Sequence, residues 1–269
     1  MSLFSSLLRA RPAPWLGFAL LLASPLLQAA TAQSARIESP GRILRVELQI
    51  DGGTARYQVQ RLGESVVDAS KLGFELRDGR LDRDFEIIDT RTRSVDEQWE
   101  QPWGERRLSR NHYNELTVAL RQTTGDKRRV DVVFRVFDDG IGFRYVFPQQ
   151  PGLEEAIIDE ELTEFAIAAP STAWWIPAGE PIHYEYLYAR TPLQEVPLAH
   201  TPITLRSESG LHVAIHEAAL VDYAGMWLRR IDGQRLRAQL SPSADGWKVR
   251  RALPFATPWR TLQIADRAG

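Results

Sequence analysis

The densest collection of chemically capable side chains in the sequence is Trp174 to Tyr188, WWIPAGEPIHYEYLY. Two tryptophans, three tyrosines, a histidine and two prolines surround Glu185, with Glu180 five residues earlier. An ionised carboxylate is a hard oxygen ligand or an acid–base group. Flat amphipathic rings beside it pack sugars or line the rim of a pocket. The same composition also suits edge strands and loops that close a β core, so the residues by themselves leave both uses open.

Other stretches carry chemically capable residues as well. His216-Glu217-Ala218-Ala219-Leu220 begins like a zinc-protease signature, but Leu220 stands where the second histidine belongs. The residues before it read as a strand, whereas the zinc motif needs helical spacing to bring both imidazoles to one face. Glu217 is instead expected on the face of Leu211, Val213 and Ile215, as a partly buried carboxylate held by hydrogen bonds. Arg110 to Leu116, RNHYNEL, holds both asparagines of the chain, Asn111 and Asn114, beside His112 and Glu115. Such a loop can bind sugar hydroxyls, grip a neighbouring domain or tie down a turn. The pairs Asp96-Glu97, Asp138-Asp139 and Glu160-Glu161 are poor glycosidase dyads, because adjacent strand residues point to opposite faces; they read as solvated turn residues. The sequence has no G-x-S-x-G, P-loop or dinucleotide fingerprint.

The elements that must position these residues are strands. Short runs rich in Val, Ile and Phe recur at Ile43 to Ile50, Gly73 to Leu76, Phe85 to Asp89, Leu116 to Leu120, Val130 to Phe137 and Ile141 to Phe147. The pattern resumes at Ala166 to Ile176, Leu205 to Glu217, Met226 to Ile231, Gln234 to Leu240 and Trp259 to Ala265. Asp-Gly and Gly-Asp turn signals separate many of them. In Val130 to Val136 apolar side chains recur every second residue, as a half-buried antiparallel strand requires. No dozen residues show a 3.6-residue apolar period. The expected fold is all-β, a large antiparallel sandwich or barrel, with residues 33 to 269 as one domain.

Residues 1 to 32 read as a secretory signal: Arg9 and Arg11, an apolar run from Trp15 to Leu27, and Ala30-Thr31-Ala32 as the cleavage site. Export from the cytoplasm is therefore expected. Removing two arginines takes the net charge from −2 to −4, which gives no reason to expect a nucleic-acid partner. No second apolar run is long enough for a stable membrane span. The absence of cysteine excludes disulfides and thiolate chemistry, and the remaining residues can bury a core large enough without them.

Several segments, in order, resemble the N-terminal β-supersandwich of glycoside hydrolase family 97. They are Ser39-Pro40-Gly41, SVDEQW from Ser94 leading to Pro102-Trp103-Gly104-Glu105, RNHYNELTV from Arg110 and FRVFDDGIGFRYVFPQQ from Phe134. WWIP from Trp174, IHEAALVDYAGM from Ile215 and TPWRTLQIAD from Thr257 continue the series. The resemblance implies a galactose-mutarotase-like sandwich from an exported α-glucosidase or α-galactosidase, packed on a (β/α)8 catalytic barrel and closing part of its pocket. It also implies that one glutamate of the sandwich helps hold a calcium ion. By its place after Trp-Ile-Pro and before a tyrosine, that residue resembles Glu185, with Glu180 as second candidate. Asn111, His112, Asn114, Glu115, Trp175, His183 and Glu217 are then expected at the pocket rim or domain interface.

Family members continue into the barrel beyond the point matching Gly269. The expectation is a chain without catalytic residues, not active by itself, with calcium bound only when the barrel is present and an α-glucoside or α-galactoside oligosaccharide as the carbohydrate partner. Two alternatives stay open: a free carbohydrate-binding module using Trp174, Trp175, Tyr184 and Tyr186, and a mutarotase-like epimerase using His183 with Glu185 or His216 with Glu217.

Overall fold

A computed structural model describes residues 33–180 and 182–267; the expected export signal lies outside them. The described residues form one compact unit built from strands, with a single 3-10 turn at Leu193–Glu195. No helix among them is long and apolar enough to cross a membrane.

Two layers enclose the core. One is a ten-stranded sheet running from Ala189–Pro192 through Ser171–Trp175, Ile203–Ser207, His212–Ala218 and Trp259–Ala265 to Gly140–Phe147, Arg129–Val136, Leu108–Gln122 and the edge strand Phe85–Glu100. Phe255–Ala256 adds to it beside Gly140–Phe147. Opposite lie an eight-stranded sheet, which includes Thr54–Arg61, Glu164–Ile167, Arg235–Leu240 and Met226–Asp232, and a four-stranded sheet centred on Glu155–Glu161 and Phe74–Leu76. Every pairing in these sheets is antiparallel. The expected all-β sandwich is the observed one.

Alternation builds the core. Phe134, Phe143, Tyr145 and Phe147 project from the ten-stranded sheet to meet Tyr57 and Phe165 of the eight-stranded sheet and Phe74 of the four-stranded one, with centroid separations of 4.6 to 6.3 Å. Truncating one such ring leaves a cavity and typically costs about 3–5 kcal/mol. Ser39-Pro40-Gly41 ties the layers together at one end. The Ser39 hydroxyl accepts from the amides of Ile43 and Leu44, and the Gly41 amide donates to Asp138 Oδ1 at 2.7 Å. A Cβ at position 41 would meet that carboxylate at 2.7 Å, so a larger residue would have to displace the Asp138 side chain.

Strand boundaries differ from expectation where polarity or chain breaks dominate. Phe85 to Asp89 and Leu116 to Leu120 extend into a hairpin of 16 and 15 residues. Its charged positions are matched across strands, as in Arg93 with Glu115 and Arg121 with Glu86, so it needs few apolar residues. RNHYNEL is therefore part of a strand, not a loop. Leu205 to Glu217 divides into two strands around Gly210, whose φ of +90° suits a turn. Ala166 to Ile176 divides between the two layers at Pro170.

Asp82 is a second polar element of the core. Its side chain has no solvent exposure and is held by Lys71 at 2.5 Å, Arg80 at 2.8 Å and Arg83 at 3.0 Å. Burial alone would raise this carboxyl, but the hydrogen bonds from Arg80, Lys71 and Arg83 outweigh it and hold the group well below the usual range. A lowered folded-state pKa gives stability that is complete above about pH 4 and is lost as pH falls further. Asp82→Asn is expected to lower stability at pH 7 by about 1–3 kcal/mol. Urea unfolding at pH 7 and pH 3 checks this: the gap to the parent chain should narrow at pH 3, and an unchanged gap would contradict it.

Candidate functional site

The loop from Ile176 to Tyr188 leaves the ten-stranded sheet after Ser171–Trp175 and returns into Ala189–Pro192. Its base is pinned to the eight-stranded layer. The Ala178 amide donates to the Leu198 carbonyl and the His200 amide to the Ile176 carbonyl. Tyr184 then anchors the middle: its hydroxyl donates to the Thr201 carbonyl at 3.2 Å and its ring meets His200 edge-on at 4.6 Å. His200 in turn packs edge-on against Trp227.

Glu185 follows directly and is 89% exposed. Its Oε2 accepts from the Tyr184 amide at 3.4 Å and lies 4.0 Å from His183 Nε2, while the His183 ring stacks on Tyr186 at 4.5 Å. The carboxylate is thus free in water at the crest of a segment whose base is fixed.

Beneath the loop is a groove of about 470 Å³ lined by Glu180, His183, Tyr184, His200, His216 and Glu217, among others. Burial lowers the His200 imidazole below its usual pKa, which favours the neutral ring. The Glu217 side chain has 8% exposure. It accepts from Arg260 Nη1 at 2.9 Å and from the Met226 amide at 2.9 Å. Burial raises its carboxyl above the usual value despite the attraction of Arg260.

Arg260 anchors that floor. Both it and Glu161 are fully buried, joined by Nε to Oε1 at 2.9 Å and Nη2 to Oε2 at 2.5 Å. Thr163 donates to Glu161 at 2.9 Å, and the Tyr145 and Thr163 hydroxyls share a 2.6 Å hydrogen bond. Glu160-Glu161 is therefore not a solvated turn pair: the second carboxylate is an interior ion-pair partner.

The expected site residues separate into three groups. Glu180, His183 and Glu217 meet at the groove, with Glu185 on the same loop. Trp175 is instead turned into the core with 7% exposure, its indole N–H donating to Thr191, because odd-numbered positions of that strand face inward. Asn111, His112, Asn114 and Glu115 lie in the long hairpin near the other edge of the sheet. Asn111 donates to Glu97, Asn114 joins Ser94 to the Glu38 carbonyl, and Glu115 pairs with Arg93 and Arg135. His216 and Glu217 are neighbours on one strand with side chains on opposite faces, and the Glu217 carboxylate is already held by Arg260 and the Met226 amide. No group of three or more His, Cys, Asp or Glu side chains that could hold a metal ion occurs among the described residues. Ca²⁺ takes six to eight oxygens, of which Glu185 offers one or two.

The family model for the glycosyl-hydrolase 97 N-terminal domain matches residues 37–269. The chain belongs to this family.

A family 97 enzyme from Pseudoalteromonas sp. strain K8, solved with acarbose, is 39% identical and superposes with a TM-score of 0.84 over 87% of the chain and 36% of its own. A probable retaining α-galactosidase of Streptomyces bingchenggensis is 28% identical over 239 residues, covering 83% of the chain and 34% of the relative. The retaining α-galactosidase of Bacteroides thetaiotaomicron is 25% identical over 242 residues, covering 84% and 35%. The chain thus spans about a third of the length of these relatives.

Sequence reading missed the Arg260 with Glu161 pair and the His200 anchor of this family 97 sandwich. A signal for the first was present: Arg260 alternates in phase with Leu262 and Ile264, and a cation at a core position demands a buried acid. His200, in a three-residue strand, left no periodic signal. Arg260→Met is expected to lower stability by about 3–5 kcal/mol, because it strands a buried carboxylate. Adding Glu161→Leu should recover much of the loss in urea unfolding; no recovery would show that packing, not the orphaned charge, sets the cost.

Proposed function

We propose that this chain is the sandwich portion of an exported family 97 glycoside hydrolase acting on α-glucoside oligosaccharides. In this reading it closes part of the pocket of a (β/α)8 catalytic barrel and supplies Glu185 as one ligand of a calcium ion. The observation that carries it is the pairing of a free, 89% exposed carboxylate with a loop pinned by Tyr184 and His200. An exposed acid needed only for solubility requires no such anchoring. A ligand that must reach an ion held mostly by another body does, because preorganisation reduces the ordering cost of binding. The glucoside class rests on likeness to the Pseudoalteromonas enzyme, solved with acarbose and with panose.

Calcium, when bound, supplies a fixed positive charge. The part of this chain is to present one oxygen donor at the rim and to wall the pocket with the aromatic loop. Transport to the periplasm belongs to the same reading, through residues 1 to 32. The binding-module alternative gains little: Trp175 is buried, and the Trp174 ring is covered by Arg190 at 5.3 Å.

Calorimetric titration of the chain with CaCl2 should show no micromolar binding, and micromolar binding would overturn the incomplete-site reading. With the chain joined to a family 97 catalytic region, Glu185→Gln should reduce turnover and calcium dependence together. If Glu180→Gln does so instead, the ligand is Glu180. If neither does, the loop has no part in holding calcium.

A further inference from the structure

Gln33 is the first of the described residues, and it joins the edges of two layers. Its main-chain carbonyl accepts from the Ile50 amide at 2.8 Å, which extends the pairing of Ser34–Glu38 with Leu44–Asp51 at the edge of the eight-stranded sheet. Its side-chain Oε1 accepts from the Ile87 amide in Phe85–Glu100, the edge strand of the ten-stranded sheet. An edge strand presents backbone N–H groups with no neighbouring strand to receive them, and this carbonyl caps one of them. The other end of the carboxamide, Nε2, makes no hydrogen bond to the described residues, and Gln33 is exposed.

The same residue directly follows Ala30-Thr31-Ala32, the cleavage site of the expected export signal. Cleavage there makes Gln33 the amino terminus. A glutamine in that position can react with itself, because its α-amine reaches its own side-chain amide carbon by closing a five-membered ring.

We propose that Gln33 of the mature protein closes to pyroglutamate, and that the lactam carbonyl keeps the cap on Ile87. The inference rests on the export reading given under Proposed function. In this step the free-base α-amine nitrogen attacks the side-chain carboxamide carbon and forms a C–N bond. The bond from that carbon to Nε2 breaks, Nε2 takes up the proton that the amine gives up, and it departs as ammonia. Nothing is oxidised or reduced, and no co-reactant is needed. An α-amino group has an ordinary pKa of about 8, so part of it is the free base near neutral pH. Both reacting groups belong to one residue, which makes the step unimolecular. The Ile87 N–H, aimed at Oε1, stabilises the negative charge that develops there as the amine adds. The reaction removes the side-chain atom that the fold does not use and spares the acceptor that it does.

Ring closure also protects an edge. The first strand has five residues, and a short terminal strand is open to trimming from its end. Losing it would uncover Leu44–Asp51, which contributes Leu44, Val46 and Leu48 to the core. A lactam terminus offers an aminopeptidase no amine and leaves no charge beside the sheet.

The test is to express the full chain in a bacterium, purify it from the periplasm and identify its N-terminal peptide by mass spectrometry, fresh and after several days at neutral pH. A peptide beginning at residue 33 and lighter by one ammonia molecule is expected, with its share rising on incubation. Gln33→Ala, which has no carboxamide, should keep its full mass and be shortened by an aminopeptidase that leaves the cyclised chain intact. Hydrogen exchange at the Ile87 amide should be at least about tenfold faster in Gln33→Ala than in the cyclised chain, with thermal melting confirming that both are folded. Equal exchange in the two chains would overturn the capping role. A chain that begins at Gln33 and keeps its amine after incubation overturns the inference and leaves the export reading standing. A chain still beginning at Met1 overturns the export reading and this inference together, and a cut at another position overturns this inference alone.

Discussion

A guanidinium removed from water sets the terms on which this sandwich closes. Moving a charge from water into a low-dielectric interior costs several kcal/mol even after relaxation, and only precise partners return it. Arg260 has them: two bonds to Glu161 and one to Glu217. Arg260 and Glu217 face each other on neighbouring strands of the ten-stranded sheet, Glu161 comes from the four-stranded one, and Glu217 passes the constraint to the first residue of a strand in the eight-stranded layer through the Met226 amide. The three sheets therefore meet in one relative position at this end of the molecule. Aromatic packing elsewhere supplies more free energy but tolerates small slips, whereas a bidentate ion pair does not.

The groove inherits its shape from that junction. Its floor is Glu217 and its wall is the loop that Tyr184 and His200 fasten to the opposite layer. Neutral His200 fits this role, because a charged imidazole wedged between Tyr184 and Trp227 would pay the desolvation cost that its lowered pKa reflects. Glu161, Glu217 and Asp82 are held by arginines, while Glu185 is left to solvent.

The two surfaces of the ten-stranded sheet show a related division. The inner surface is filled by phenylalanines, tyrosines and aliphatic side chains that need only each other. The outer surface mixes planar cations with aromatic rings. Folding of the sandwich explains the first surface completely.

Much of the fold was legible in the residues. Period-two alternation in Val130 to Val136 and the Asp-Gly turns define antiparallel strands, and family segments such as FRVFDDGIGF place them in order, because both signals are local in the chain. The aromatic run around Glu185 was legible for the same reason, and the structure places it in an exposed loop between two strands. Tertiary structure alone decided the rest. It turned Trp175 inward while leaving its neighbour Trp174 outside, made Glu161 an interior partner of a residue 99 positions away, and set RNHYNEL on a strand far from the groove. Local patterning specifies which face a side chain takes relative to its neighbours. Which face becomes the core, and which distant charge a buried acid meets, depends on how sheets stack, and that is fixed by the summed burial and ion pairing of residues far apart in the sequence.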